Sequence, residues 1–167
     1  MNRPKLYLES STISYLTARP SENLVRKFRQ ERTRQWWTFR DRFELFISKT
    51  VINEIRLGDP EAARLRLEMV DGIPVLPHSD QVDLLAQVFI STGAVPSNAV
   101  QDAYHIASSA VCQMNYLLTW NQKHIANSAK LRQMEELIFG FQLTPPLIVT
   151  PEQLLYEKNL LEDEGLP

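Results

Sequence analysis

Two short stretches rich in apolar residues, KLYLE at residues 5–9 and YLLTW at residues 116–120, decide the fold. Polar residues lie at the end of the first stretch and directly after the second. An SST cluster at residues 10–12 follows the first stretch, and Asn121 follows the second. Aliphatic and aromatic runs bounded by such residues are typical of buried strands that lead into a turn or a helix. The sequence therefore predicts two strands whose carboxyl ends carry polar side chains.

Further strands and helices alternate along the rest of the chain. Strand-like segments lie at 43–48, 73–76 and 147–149, and helical patterns at 13–16, 20–40, 50–57, 59–70, 79–90, 96–110, 128–139 and from 150 onward. This alternation favours a mainly parallel sheet with helices on both faces. We expect an α/β fold with three α/β/α layers and about five strands, formed by one domain over residues 1–156. Residues 157–167 form an acidic tail.

The composition excludes several classes of protein. A chain of 167 residues with 44% hydrophobic and 23% charged content folds rather than remaining disordered, and its net charge of −2 creates no global attraction to nucleic acid or membrane. The single cysteine, Cys112, rules out an internal disulfide and is interpreted as a small buried apolar residue. No secretory signal, apolar membrane span, glycine-rich nucleotide loop, HExxH or CxxC is found, so we expect a cytoplasmic protein.

Four polar residues lie where strand ends meet in this predicted fold: Glu9, Glu54, Asp102 and Asn121. Ligands of open α/β sheets bind beyond the carboxyl ends of the strands, so we expect these residues on one edge. Three carboxylates placed together repel one another unless a cation neutralises them. Oxygen ligands suit Mg²⁺ or Mn²⁺, with Glu9, Glu54 and Asp102 holding the ion, and phosphodiester hydrolysis is the reaction such a site favours.

Each of these residues also has a purely structural interpretation. Glu9 can be a solvent-exposed residue at a strand end. Glu54 and Asp102 can be acids in the opening turns of helices, where the helix dipole favours negative charge. Asn121 is of a type that commonly ends strands and begins turns.

Other polar features are predicted to be structural. Residues 19–42 contain eight basic and three acidic residues, which indicates a solvated helix face first and a rim for RNA phosphates second. His105 and His124 are interpreted as packing or hydrogen-bonding residues, because a hard cation prefers oxygen ligands. Asp59, followed by a proline, is predicted to cap a helix rather than to bind a ligand.

The ordered motifs resemble those of a PIN-domain protein, of the VapC-type ribonuclease toxin group found in bacterial toxin–antitoxin pairs. YLESSTISYL at 7–16 resembles the opening of that family, and VINEI at 51–55 resembles its second motif. DAYHIASSAV at 102–111 and YLLTWN at 116–121 resemble the third and fourth motifs. The order, spacing and strand placement of the four agree together.

This resemblance implies a metal-dependent endoribonuclease in which Glu9, Glu54 and Asp102 are the metal-binding acids. Asn121 stands where family members often have a fourth acid, and it would orient substrate or water. The first acid of the family is usually Asp, so Glu9 adds one methylene. The neutral Asn121 leaves a formal charge of −3 rather than −4, so we expect one firmly bound Mg²⁺ or Mn²⁺ ion.

The resemblance also suggests roles for Ser10 and Ser11 and a set of partners. One of these serines matches the hydroxyl that follows the first acid, and it would bond Glu9 or a metal-bound water, or cap the helix. RNA is the implied substrate. Family members form homodimers, and the toxins bind an antitoxin protein that covers the acidic groove.

Two other functions remain open at this stage. A PIN module that has weak or no catalytic activity and binds RNA or a protein partner would also explain the neutral Asn121. A flavodoxin-like domain that binds a small molecule is disfavoured, because the chain has no glycine loop that could hold a phosphate.

Overall fold

A computed structural model describes residues 2–121, 123, 125 and 128–157. His124 and residues 158–167, which make up most of the predicted tail, lie outside the described residues. Strands and helices follow one another along the chain. They are β1 (Lys5–Leu8), α1 (Ser10–Thr17), α2 (Leu24–Trp37), a 3₁₀ turn (Arg40–Arg42), β2 (Glu44–Phe46), α3 (Lys49–Ile55), α4 (Pro60–Met69), α5 (Asp80–Ser91), α6 (Val100–Val111), β3 (Tyr116–Leu118), α7 (Ser128–Gly140), β4 (Leu147–Val149) and α8 (Pro151–Glu157).

The four strands form one parallel sheet in the order β2–β1–β3–β4. Leu8 of β1 pairs with Leu118 of β3, so the two central strands end side by side. The parallel α/β prediction is confirmed, and the topology is consistent with the predicted three layers. The described sheet has four strands rather than about five.

The segment predicted as the fifth strand makes only a single parallel bridge, between Val75 and Ile47. The backbone N–H of Ile47 donates to the carbonyl of Pro74 at 3.0 Å, and Leu76 N–H donates to the carbonyl of Ile47 at 2.8 Å. Continuing this ladder toward the start of β2 would require an N–H at position 74, and proline has none. Pro74 therefore prevents the ladder from extending toward the start of β2.

Most helices begin at the polar residues that the sequence indicates, with some shifts. Asp59 caps α4 as predicted, because its Oδ2 accepts from Ala62 N–H at 2.9 Å. Helix α2 begins after the N-cap Asn23 rather than near residue 20. Helix α6 begins at Val100 rather than at Pro96, and the intervening residues form a turn instead.

The core lies around the two central strands. Its largest fully buried side chains include Trp36, Tyr7 and Phe89. Cys112, expected to be buried, is only partly buried beside this core. Within the described ranges, no helix combines the length and the apolar character needed to cross a lipid bilayer.

Replacing Leu117 with alanine tests the central position of β3. Leu117 is fully buried, so Leu117→Ala should lower the free energy of unfolding by about 2–5 kcal/mol, through lost burial and a cavity. Leu147 of neighbouring β4 is 59% exposed, so Leu147→Ala should change it by less than about 0.5 kcal/mol. Urea denaturation measures both variants, and equal losses would contradict the described sheet.

Candidate active site

A cleft of about 850 Å³ lies beyond the carboxyl ends of β1 and β3. It gathers side chains from α1, α2, α3, α4, α6 and the segment after β3. The predicted residues that line it are Glu9, Ser10, Ser11, Glu54, Asp102 and Asn121, and the other lining residues are Ser14, Tyr15, Arg29, Ile55, Leu57, Arg66, Trp120 and Lys123. Every residue proposed from the sequence for the site thus lies on this one cleft.

Glu9 follows β1 directly and is 3% exposed, so it is not the exposed strand-end residue of the structural interpretation. It is also the N-cap of α1, a role that the sequence assigned to the SST cluster. Its Oε2 accepts from Ser11 N–H at 3.0 Å, from Thr119 Oγ1 at 2.8 Å and from the Ser11 hydroxyl. Its Oε1 accepts from Ser10 Oγ at 2.8 Å. Four donors therefore hold the buried carboxylate in place.

Glu54 lies in the last turn of α3, whereas the sequence placed it in the opening turns. An acid gains nothing from the helix dipole at this end, so the dipole does not explain its presence. Its Oε1 accepts from Ser10 Oγ at 3.2 Å and lies 2.5 Å from Nε2 of His105. Its side chain is 28% exposed, which makes it accessible from the cleft.

His105 of α6 is fully buried and orients Glu54. Its Nδ1 lies 2.7 Å from the hydroxyl of Tyr7, which lies 2.7 Å from Oγ of Ser48. Its Nε2 contacts Glu54, and the contact is an ion pair when the imidazole is protonated. The histidine thus serves as the hydrogen-bonding residue that the sequence predicted.

The ionisation of this network follows from burial and from the nearby acids. Burial lowers the pKa of His105, but the contact with Glu54 and the charges of Glu9 and Asp102 outweigh it, so the pKa is raised above its ordinary value. Burial raises the pKa of Tyr7 well above its usual range, so its hydroxyl keeps its proton. The nearby carboxylates therefore stabilise the charged form of the imidazole by more than burial destabilises it.

Asp102 lies in the first turn of α6 and is 8% exposed. Its Oδ1 accepts from Asn121 Nδ2 at 3.0 Å, and the backbone N–H of Asn121 donates to Thr119 Oγ1 at 2.9 Å. Asn121 therefore links the third acid to the threonine that also bonds Glu9. Asp102 can benefit from the helix dipole as well, so its structural interpretation stands beside the functional one.

Among the residues that the structure describes, Glu9, Glu54 and His105 form a group of possible metal ligands whose ligand atoms lie within 4.8 Å of one another. Asp102, a predicted ligand, lines the same cleft outside that group. Two carboxylates fit Mg²⁺ or Mn²⁺, and an added imidazole is a ligand that Mn²⁺ tolerates better. The donor set fits a divalent cation. It does not require one, because His105 can itself offset part of the negative charge.

Three cationic side chains of the cleft, Arg29, Arg66 and Lys123, were not singled out from the sequence. Arg29 was only one of many basic residues in the segment 19–42. Other members of that segment, Arg19 and Arg26, line an adjoining cleft of about 580 Å³. Both clefts share Ser11, Ser14 and Tyr15 of α1, so positive charge borders the acidic centre along one helix.

No protein-family model matches the chain, and no curated protein matches it either.

Removing the hydroxyl of Thr119 tests the network around Glu9. Thr119→Val has nearly the same shape but deletes a donor to Glu9 and an acceptor for Asn121 N–H, so it should lower the free energy of unfolding by about 1–3 kcal/mol. Thr92→Val removes an exposed hydroxyl at the end of α5 and should cost less than about 0.5 kcal/mol. Equal urea midpoints for Thr119→Val and the parent protein would contradict the network.

Proposed function

We propose that this protein is a Mg²⁺- or Mn²⁺-dependent endoribonuclease with a PIN-like fold that acts as the toxin of a toxin–antitoxin pair. The observation that carries the proposal is the convergence of the three predicted carboxylates and Asn121 on one cleft. Arg29, Arg66 and Lys123 border the same cleft. An acidic centre with a cationic border suits a polyanion that must approach a bound metal ion.

Glu9, Glu54 and Asp102 are the residues that would hold the ion. A bound divalent cation supplies Lewis-acid activation of the phosphodiester and lowers the pKa of a nearby water. The Ser10 hydroxyl lies 2.8 Å from Glu9 Oε1 and 3.2 Å from Glu54 Oε1, so the two carboxylates share its single proton and their positions are coupled. Asn121 orients Asp102 and is placed to contact substrate or water.

The supporting residues hold these acids before substrate arrives. Ser11 and Thr119 fix the Glu9 carboxylate, and Tyr7 fixes the ring of His105, which contacts Glu54. Such outer contacts keep a site in its working geometry. Glu54 is the most exposed of the three acids, so it is the one best placed to meet substrate at the mouth of the cleft.

The proposal extends to the partners. The resemblance of YLESSTISYL and YLLTWN to the PIN-domain toxins supports RNA as substrate, an antitoxin protein that covers the acidic cleft, and a homodimer. Purification of the protein together with the product of an adjacent small gene would test the antitoxin.

The charge balance of the cleft favours a second candidate function. The Glu9 carboxylate has four hydrogen-bond donors and Glu54 has an ion pair with His105, so the acids are stabilised without a metal. A module that binds RNA or a protein partner without catalysis would therefore need no metal ion in the cleft. Metal uptake separates the two candidates.

Substituting each acid tests the nuclease. Glu9→Gln, Glu54→Gln and Asp102→Asn should each reduce Mn²⁺-dependent cleavage of RNA to below about 1% of the parent rate, because each removes a charge that would hold the ion. Gel assays with a fluorescent RNA measure the rate, and circular dichroism checks the fold. Glu136→Gln, which alters an exposed pair with Arg132, is the matched control and should cleave normally. Full activity in all three acid variants would refute the nuclease.

Calorimetric titration with Mn²⁺ tests the metal itself. The parent protein should take up at least one ion, and Glu54→Gln should bind it at least about tenfold more weakly, because one carboxylate ligand is lost. EDTA should abolish cleavage. A parent protein that takes up no Mn²⁺ yet still binds RNA would support the module without catalysis.

A further inference from the structure

Arg29 of α2 lies on the cleft beside two aromatic side chains. Its guanidinium carbon lies 5.4 Å from the ring centre of Trp120 and 6.0 Å from that of Tyr15. Its Nη1 also donates to the Tyr15 hydroxyl at 3.4 Å. The centres of the two rings lie 6.2 Å apart, so both rings lie to one side of the cation and leave the other side of the guanidinium open.

No carboxylate in the described part of the chain forms an ion pair with Arg29, although acids line the same cleft. Surface arginines elsewhere do find such partners, as Arg64 does with Glu61 and Glu68. Arg29 thus keeps its charge available toward the cleft.

The backbone beneath Arg29 is fixed to the end of the sheet. The indole Nε1 of Trp120 donates to Thr33 Oγ1 at 2.7 Å, and that hydroxyl donates to the carbonyl of Arg29 at 2.6 Å. Thr33 is fully buried and Trp120 is 5% exposed. Because Trp120 directly precedes Asn121, this chain of bonds sets the position of Arg29 relative to the predicted site residues.

The other two cations of the cleft are held differently. Arg66 donates to the backbone carbonyls of Ile55 at 2.9 Å and Leu57 at 2.5 Å, so it closes the end of α3. Lys123 is exposed. Of these three cations, Arg29 is therefore the one that aromatic contacts hold in place and that no described carboxylate neutralises.

We propose that Arg29 is a substrate-binding residue that holds an RNA phosphate next to the phosphodiester that is cut. Guanidinium groups bind phosphate through paired N–H donors, and contact with the two neighbouring aromatic rings reduces the entropy lost on binding. The assignment rests on the proposed RNA substrate. It predicts that Arg29 contributes to substrate affinity rather than to the chemical step.

Arg29→Gln tests the assignment with Arg32→Gln as the matched control. Arg32 lies one turn further along α2, has a similar contact with Phe28, and does not line the cleft. Binding of a fluorescein-labelled single-stranded RNA is measured by anisotropy in EDTA, across a series of salt concentrations. Arg29→Gln should weaken binding about tenfold, as expected for a lost hydrogen bond to a charged group. It should also reduce the salt-dependence slope by about 0.7, as one lost phosphate contact predicts.

Cleavage kinetics provide a second measurement. With Mn²⁺ present, Arg29→Gln should raise KM about tenfold with little change in kcat, because a binding contact is lost. Arg32→Gln should match the parent in both measurements.

The outcomes separate this assignment from the nuclease proposal. Weakened RNA binding in Arg29→Gln together with no cleavage by the parent would support Arg29 as a phosphate-binding residue and overturn the nuclease, along with the placement of that phosphate beside a cut bond. Cleavage by the parent, with Arg29→Gln equal to Arg32→Gln in affinity and KM, would overturn the Arg29 assignment and leave the nuclease standing. If Arg29→Gln is unfolded by circular dichroism, Arg29→Lys replaces it. That variant keeps the charge but loses the paired donors, so a loss of RNA affinity of about threefold or more supports the assignment, and unchanged affinity overturns it.

Discussion

The hydrogen bonds to the Glu9 carboxylate join the segments on which the cleft depends. Ser11 donates from the start of α1, and Thr119 donates from just beyond β3. Ser10 links the same carboxylate to Glu54 of α3. Burying a carboxylate this deeply costs free energy unless its oxygens accept hydrogen bonds. The start of α1 and the end of β3 must therefore lie close enough to Glu9 to donate them. The geometry of the site and the stability of the fold therefore depend on the same few bonds.

Charge balance explains why one arrangement supports two candidate functions. Glu54 lies at the unfavourable end of α3, and His105 offsets its charge from beneath, with Tyr7 fixing the imidazole. Cations on the border, Arg29 among them, make the approach of a polyanion favourable without neutralising the centre. A divalent ion would have to compete with His105 for Glu54, and that competition decides between a metal enzyme and a binding module.

Local sequence patterns predicted the parts of the fold that depend on local chemistry. The apolar runs at 5–9 and 116–120 became central parallel strands, and the polar residues after them reached one cleft. The segment predicted as a fifth strand makes a single bridge, and the missing N–H of Pro74 blocks its extension toward the start of β2. The contact between Glu54 and His105 joins residues far apart in the chain, and no spacing rule could reveal it. The place of Arg29 likewise depends on Trp120, so charge counting over α2 found a basic segment but not the residue that faces the site.

The pairing of Leu8 with Leu118 has a consequence for biosynthesis. After strand β1 has been made, more than a hundred further residues must be translated before its central neighbour β3 leaves the ribosome. Contacts this distant in the chain form late and slow folding. A nascent polypeptide consequently cannot assemble the acidic cleft until β3 has been translated, and fragments that end before β3 lack the cleft.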